Sequence, residues 1–142
     1  MLGTEPAIRE HYVKSGQVVL IFGPVLNHFD RSDQTHQAAE CAYEQGRFWE
    51  FHDILFENQG ILWGGDVRQT VKHLAAEAGL DPVDFNACID EQRHFNLIKT
   101  QDQVRIRAGI RGQPVFFING DWLVGAQPFE VFAQVVESKL AE

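Results

Sequence analysis

The spacing of hydrophobic residues changes along the chain, and each change predicts a different element. A short amphipathic helix is expected over residues 4–13, with Ile8 and Tyr12 on one face. A continuous apolar run within residues 17–22 predicts a strand that is buried on both faces. Residues 23–32 contain Pro, Asn and Asp and are expected to form a loop.

Apolar positions three and four apart then predict several consecutive helices, up to about residue 109. Asp66 has Gln69 three residues further on, which is the acceptor spacing of a helix N-cap. Asp81 precedes Pro82 and marks the start of another helix. Residues 60–65 contain three glycines and are expected to form a turn.

The pattern changes again after residue 112. Residues 114–118 predict a strand, Asn119 and Gly120 a two-residue hairpin turn, and residues 121–124 the returning strand. Pro128 opens a final amphipathic helix. The order is helix, strand, several helices, strand, hairpin turn, strand, helix. This order predicts an α/β domain with an all-helical insertion between its first strand and its closing hairpin.

Composition narrows the classes of function. The 142 residues are 44% hydrophobic, which suits one globular domain with a core of its own. The formal net charge of −8 argues against nucleic acid as a partner, because such proteins need a basic face. No apolar run reaches the roughly 18 residues of a membrane span. The first residues lack the pattern of a signal peptide, so the chain is expected either to stay in the cytoplasm or to lack its natural beginning.

Candidate chemistry is sparse in this sequence. Six histidines invite a metal hypothesis, but no pair has the His-x-x-x-His or Cys-x-x-Cys spacing of a zinc site, so no metal is expected. No glycine-rich phosphate loop is present, and no cofactor is expected. Cys41 and Cys88 lie far apart in sequence, each within a predicted helix. They could be two buried thiols or a structural disulfide between helices, and a catalytic pair is the least favoured of the three.

Four segments, in the same order along the chain, resemble the DsbA-like branch of the thioredoxin-fold oxidoreductases. The first two are AAECAYEQGRFWEFHD at residues 38–53 and LDPVDFNACID at residues 80–90. The others are GQPVFFING at residues 112–120 and GAQPF at residues 125–129. The resemblance covers the chain from about Gln17 to its end. It implies one thioredoxin-like domain over residues 1–142, in which residues 17–22 and 110–142 form the thioredoxin part and about 33–109 the helical insertion.

The resemblance also implies a gap. In this family a central strand leads to a Cys-x-x-Cys at a helix N-terminus, where the first cysteine is the thiolate nucleophile. That unit should precede residues 17–22, but only residues 4–15 precede them, and neither cysteine occupies its position. The chain is therefore expected to be a truncated or degenerate oxidoreductase without dithiol exchange of the usual kind.

Loss of that central strand would leave two strand edges unpaired. The edges could close on each other, another copy could donate a strand in a homodimer, or the natural protein could be longer, which is the simplest of the three. An alternative function is a non-catalytic module that binds peptide or dimerises. A more distant alternative is a glutathione-linked isomerase with a related fold.

The resemblance places substrate binding at Gln113, Pro114 and Val115. Pro114 matches the family's cis-proline, beside which the substrate backbone lies extended. Gln113 departs from the threonine or valine usual there, which leaves the substrate preference open. The implied partner is an extended polypeptide, and the implied location is the bacterial cell envelope or periplasm.

Overall fold

A computed structural model of the protein describes residues 3–142. Met1 and Leu2, with which the predicted domain begins, lie outside the described residues. The chain forms two compact units: one contains both chain ends, up to Phe22 and from Ile106 onward, and the other is Gly23–Arg105. No helix among residues 3–142 is long and apolar enough to cross a membrane.

The secondary structure is mostly helical. In chain order the elements are α1 (Thr4–Ile8), a π-helical stretch (Arg9–Val13), α2 (Asp30–Glu44), α3 (Phe48–Glu57), α4 (Gln59–Gly64), α5 (Val67–Glu77), α6 (Pro82–Asp90), α7 (Phe95–Arg107), β1 (Val115–Ile118), β2 (Asp121–Val124) and α8 (Phe129–Leu140).

The unit formed by the chain ends is built around a hairpin. β1 and β2 pair antiparallel, with Val115 opposite Val124 and Ile118 opposite Asp121. Asn119 and Gly120 connect the strands, as the sequence predicts, and both have positive φ. A two-residue turn of this kind matches the right-handed twist of the strands, and Gly120 adopts its φ of 106° without a steric penalty.

One face of the hairpin rests on helices. The N-terminal helix, formed by α1 and the π-helical stretch after it, contributes Ile8 and Tyr12 to the core of this unit, and α8 contributes Phe132 and Val136. Phe116, Ile118 and Leu123 of the hairpin pack against these core residues. The Tyr12 hydroxyl donates a hydrogen bond of 2.9 Å to Glu137 on α8. Burial and this hydrogen bond raise the pKa of the Tyr12 phenol. The N-terminal helix and α8 are thereby held on the same face of the hairpin.

The other unit has a helical core of its own. Its buried apolar residues come from α2 through α6 and form one continuous cluster. Phe51 on α3 and Phe85 on α6 meet edge to face, with 5.4 Å between ring centroids. The two N-caps expected from the sequence are present. Asp66 accepts a hydrogen bond from the backbone of Gln69, and Asp81 caps α6.

The predicted strand at residues 17–22 is wrong. This segment has no regular secondary structure, and within residues 3–142 the sheet consists of β1 and β2 alone. Val18 packs against the core of its unit, whereas Val19 and Ile21 are each 85% exposed. A continuous apolar run predicts a strand covered on both faces, but a strand also needs hydrogen-bonded neighbours, and none of the described strands pairs with this one.

The predicted turn at residues 60–65 is also wrong, because most of it belongs to the short helix α4. The carbonyl of Asn58 accepts hydrogen bonds from the amides of Ile61 and Leu62, and Leu62 is buried in the core. Burial of one leucine outweighs the low helix propensity of the glycines here. Likewise, α2 begins at Asp30, inside the predicted loop, where Ser32 Oγ accepts a hydrogen bond from the His28 amide.

Replacing Asp81 by alanine should lower the free energy of unfolding by about 1 kcal/mol, because the carboxylate accepts hydrogen bonds from the amides of Val83 and Asp84 at the start of α6. Urea denaturation followed by circular dichroism measures the change. Asp84→Ala is the matched control, since it removes the same charge from the same turn without removing the cap. Equal losses in the two variants would contradict the capping role.

Candidate functional site

The sequence-predicted binding residues lie where the chain enters β1. The peptide bond between Gln113 and Pro114 is cis, Gln113 is exposed, and Pro114 and Val115 are half-buried. The carbonyl of Pro114 accepts a hydrogen bond of 2.9 Å from the amide of Gly125. This bond extends the hairpin pairing by one residue beyond the strands and fixes the start of β1 beside the end of β2.

The register of the hairpin determines which backbone groups face outward. In an antiparallel pair, residues that exchange hydrogen bonds alternate with residues that do not. Pro114 is bonded to Gly125, and the two-residue turn closes between Ile118 and Asp121, so the bonded positions of β1 are Phe116 and Ile118. The amide and carbonyl groups of Val115 and Phe117 therefore point away from β2. Among the described residues, no hydrogen bond engages them.

The side chains of the hairpin separate into an inner and an outer face. Phe116 packs edge to face on Phe132 of α8, with 4.6 Å between ring centroids. Phe117, the next residue, lies opposite Trp122 with centroids 4.8 Å apart. These two rings are 61% and 52% exposed. An exposed aromatic pair thus lies on the outer face of the hairpin, next to the unpaired edge of β1.

Cys41 and Cys88 form a disulfide, so they are not the two free thiols that the sequence left open as an alternative. It links α2 to α6 across 47 residues of sequence, with 5.9 Å between the two Cα atoms. Each cysteine is 1% exposed. Closing a loop of this length restricts the unfolded chain and contributes about 4 kcal/mol on the chain-entropy estimate.

Two residues that sequence reasoning missed are His94, which lies beside this disulfide, and Glu44, which contacts His94. A ring nitrogen of His94 lies within 4.8 Å of both sulfur atoms. His94 Nε2 is 2.8 Å from Glu44 Oε1, and the other oxygen of Glu44 accepts a hydrogen bond from Arg93 at 3.0 Å. Since Glu44 precedes His94 by 50 positions, no local spacing in the sequence could have indicated the pair.

Residues 2–138 match the family described as Thioredoxin. The chain belongs to the thioredoxin family. The match covers nearly the whole chain and supports the expected α/β fold class, in which a small sheet is accompanied by many helices.

Relatives of this thioredoxin-family chain carry the names of antiporters. It is 30% identical over 139 residues to Na(+)/H(+) antiporter NhaA 3 of Salinispora tropica, an alignment that covers 96% of this chain and 21% of that protein. It is 28% identical to Na(+)/H(+) antiporter NhaA 1 of Salinispora arenicola, with the same coverage. The match to Na(+)/H(+) antiporter NhaA of Herminiimonas arsenicoxydans is 28% over 113 residues, or 80% of this chain and 18% of that protein. The chain spans about a fifth of the length of these curated relatives.

A buried carboxylate fixes the loop that precedes α2. Asp102 on α7 accepts a hydrogen bond of 3.1 Å from the amide of Leu26 and one of 2.7 Å from Nε of Arg105. Asp102 and Leu26 are 76 positions apart in the chain, so no local spacing could have indicated this hydrogen bond. Pro24, near the start of this loop, is buried. The hydrogen bond from Leu26 to Asp102 joins the loop to α7.

His36 on α2 lies close to the same loop. The pKa of His36 is lowered to about 4, mainly by burial and to a smaller extent by the neighbouring His52. A hydrogen bond to the Val25 backbone and the charges of Asp102 and Asp33 raise the pKa but do not offset the burial. His36 is therefore neutral in the folded protein at any pH well above 4.

Acid should destabilise the protein through His36. Its folded pKa of about 4 lies below the ordinary 6.5, so between these values the unfolded chain binds a proton that the folded chain does not. Above pH 6.5 His36 does not lower the free energy of unfolding. As the pH drops to 4, its titration lowers the free energy of unfolding by up to about 3 kcal/mol. We expect His36→Gln to flatten this dependence in urea denaturation at pH 7 and pH 4.5. His73→Gln, at an exposed histidine, is the control, and an unchanged slope in His36→Gln would refute the assignment.

Proposed function

We propose that this chain is a DsbA-type thioredoxin-family domain that binds an extended polypeptide along the outer edge of β1, beside Gln113 and Pro114. In this proposal the domain carries out no dithiol exchange with its own two cysteines. The DsbA type is supported by the four sequence segments described above. The peptide-binding role is supported above all by the outward-facing backbone groups of Val115 and Phe117.

A strand edge of this kind binds an extended segment through its main chain. The amide and carbonyl groups of Val115 and Phe117 offer two donors and two acceptors at the spacing of a β-ladder. β1 contains no charged residue, whereas β2 begins at Asp121, which is ion-paired with Lys139 at 3.2 Å. Charged side chains at an edge discourage strand addition, so β1 is the better acceptor of the two strands.

Specificity in this proposal comes from the groups that surround the edge. An added strand would direct alternate side chains toward the exposed ring of Phe117, which favours apolar or aromatic residues at those positions. The exposed amide of Gln113 can both donate and accept a hydrogen bond at one end of the edge. We therefore propose an extended peptide with apolar residues at every second position as the ligand.

The surroundings of the cysteines argue against a redox role for them. A reactive cysteine in this family has its pKa lowered at a helix N-terminus. Cys41 lies in the last turn of α2 and Cys88 near the end of α6, where the helix dipole disfavours a thiolate. Both sulfurs are enclosed in the core, out of reach of a polypeptide substrate.

Phe117→Pro should weaken binding of an extended peptide by about 5-fold, because proline removes an outward amide worth about 1 kcal/mol without breaking the hairpin. The probe is a fluorescein-labelled peptide of alternating valine and threonine with lysine at both ends, and binding is measured by fluorescence anisotropy. Trp122→Pro is the matched control. It lies opposite Phe117, removes the other ring of the same pair and deletes an outward amide on the opposite edge.

Equal losses of affinity in these two variants would contradict binding at β1. Sedimentation equilibrium of the same proteins tests the alternative occupant of the edge, a second copy of the chain. A dimer that Phe117→Pro converts to monomer, with no affinity for the peptide in the parent chain, would favour dimerisation over peptide binding.

The chain should not catalyse reduction of insulin by dithiothreitol above the background rate, because its disulfide is buried away from substrate. Turbidity of the insulin B chain provides the measurement, and a Cys41→Ala/Cys88→Ala double variant provides the control. Turnover in the parent chain that disappears in the double variant would overturn the non-catalytic part of the proposal.

A further inference from the structure

The surroundings of the Cys41–Cys88 disulfide bring together the ligand types of a zinc site. Both sulfur atoms and one ring nitrogen of His94 lie within 4.8 Å of one another. The three residues come from three places: Cys41 from α2, Cys88 from α6 and His94 from the turn that leads into α7. Two thiolates and an imidazole are one of the donor sets found in zinc sites with three protein ligands.

The distances suit a tetrahedral metal once the sulfur–sulfur bond is broken. With Zn–S of about 2.3 Å and Zn–N of about 2.0 Å, tetrahedral ligands lie roughly 3.5 to 3.8 Å apart. The two sulfurs would move apart by side-chain rotation, since the Cα atoms are only 5.9 Å apart and keep the two side chains close together. The sulfur–nitrogen distances need only a small adjustment from their present limit of 4.8 Å.

His94 already has the outer partner that a metal-binding histidine usually has. Its Nε2 is hydrogen-bonded to Glu44 at 2.8 Å, which leaves Nδ1 as the metal ligand. Glu44 is itself held by Arg93 at 3.0 Å, so the carboxylate is fixed in position. A carboxylate–histidine pair of this kind orients the ring and raises the basicity of the ligating nitrogen.

We propose that the reduced form of this chain binds one zinc ion through Cys41, Cys88 and His94, with Glu44 as the positioning residue of His94. Formation of the site begins when a dithiol reductant gives two electrons and two protons to the disulfide. The sulfur–sulfur bond breaks, two thiols form and the reductant becomes a disulfide. Zinc then displaces one proton from each thiol, and water takes the fourth position.

The proposal makes the disulfide and the metal mutually exclusive, so that the oxidation state of the two cysteines decides whether zinc binds. The cysteines are 1% exposed, whereas His94 and Glu44 reach the surface. The ion would therefore enter from the side of the histidine. This site is separate in its residues from the β1 edge and does not depend on the proposed peptide binding.

Zinc stoichiometry in the reduced and oxidised chain tests the proposal. The full chain is reduced in denaturant, refolded in metal-free buffer with a phosphine reductant and titrated for two thiols. It is then dialysed against zinc and analysed for bound metal. We expect one zinc per reduced chain and none per oxidised chain. Cobalt in place of zinc should give the visible bands of a tetrahedral ion and a thiolate-to-metal charge-transfer band.

Single substitutions identify the ligands. His94→Gln should lower the zinc affinity of the reduced chain at least tenfold, and Glu44→Gln by about 10- to 100-fold, while both variants retain the disulfide when oxidised. His73→Gln, at an exposed histidine on α5, should leave the affinity unchanged. The proposal is overturned if the reduced chain binds no zinc, whether circular dichroism shows that chain to be folded or unfolded. It is also overturned if binding is unaffected by His94→Gln, or if the oxidised chain binds zinc equally well.

Discussion

In the hairpin, helices cover one face, and each strand forms backbone hydrogen bonds to the other strand along only one of its edges. Much of the unit formed by the chain ends follows from this constraint. Phe116 and Ile118 face the helices and are covered by the core around Phe132. Phe117 and Trp122 remain on the opposite face, where they are exposed. The backbone groups of Val115 and Phe117 point away from β2. The exposed face and the unpaired edge therefore meet at the same place, which is why the proposed binding site lies there.

The helical unit is governed by a different constraint. Its core residues come from five consecutive helices and the turn between α5 and α6, and the disulfide connects α2 to α6 within this cluster. Because both cysteines lie near helix C-termini and are enclosed, the bond suits a structural role better than exchange with a substrate. His94 lies beside the two sulfurs, and Glu44 is hydrogen-bonded to His94. In the proposed zinc site, the two cysteines bind the metal together with His94 once the disulfide is reduced.

Much of the fold could be predicted from local sequence. The hairpin turn at Asn119 and Gly120 and the caps at Asp66 and Asp81 follow from steric and hydrogen-bonding preferences that act within a few residues. Residues 17–22, by contrast, were wrongly predicted to form a strand, because a strand needs a hydrogen-bonded partner from elsewhere in the chain and local sequence does not show whether one is present. The same holds for α4, where burial of Leu62 in a distant core overrides the glycines around it.

The sequence by itself determined the family, the order of most helices and the hairpin, because periodicity, caps and turn residues act over short distances. It also indicated that the segment from Gln113 to Val115 leads into β1. Only the tertiary structure decided that Cys41 and Cys88 are bonded, that His94 lies beside them and that the edge of β1 faces outward. Each of these depends on contacts between residues far apart in the chain, and their geometry is set by the packing of whole helices and strands.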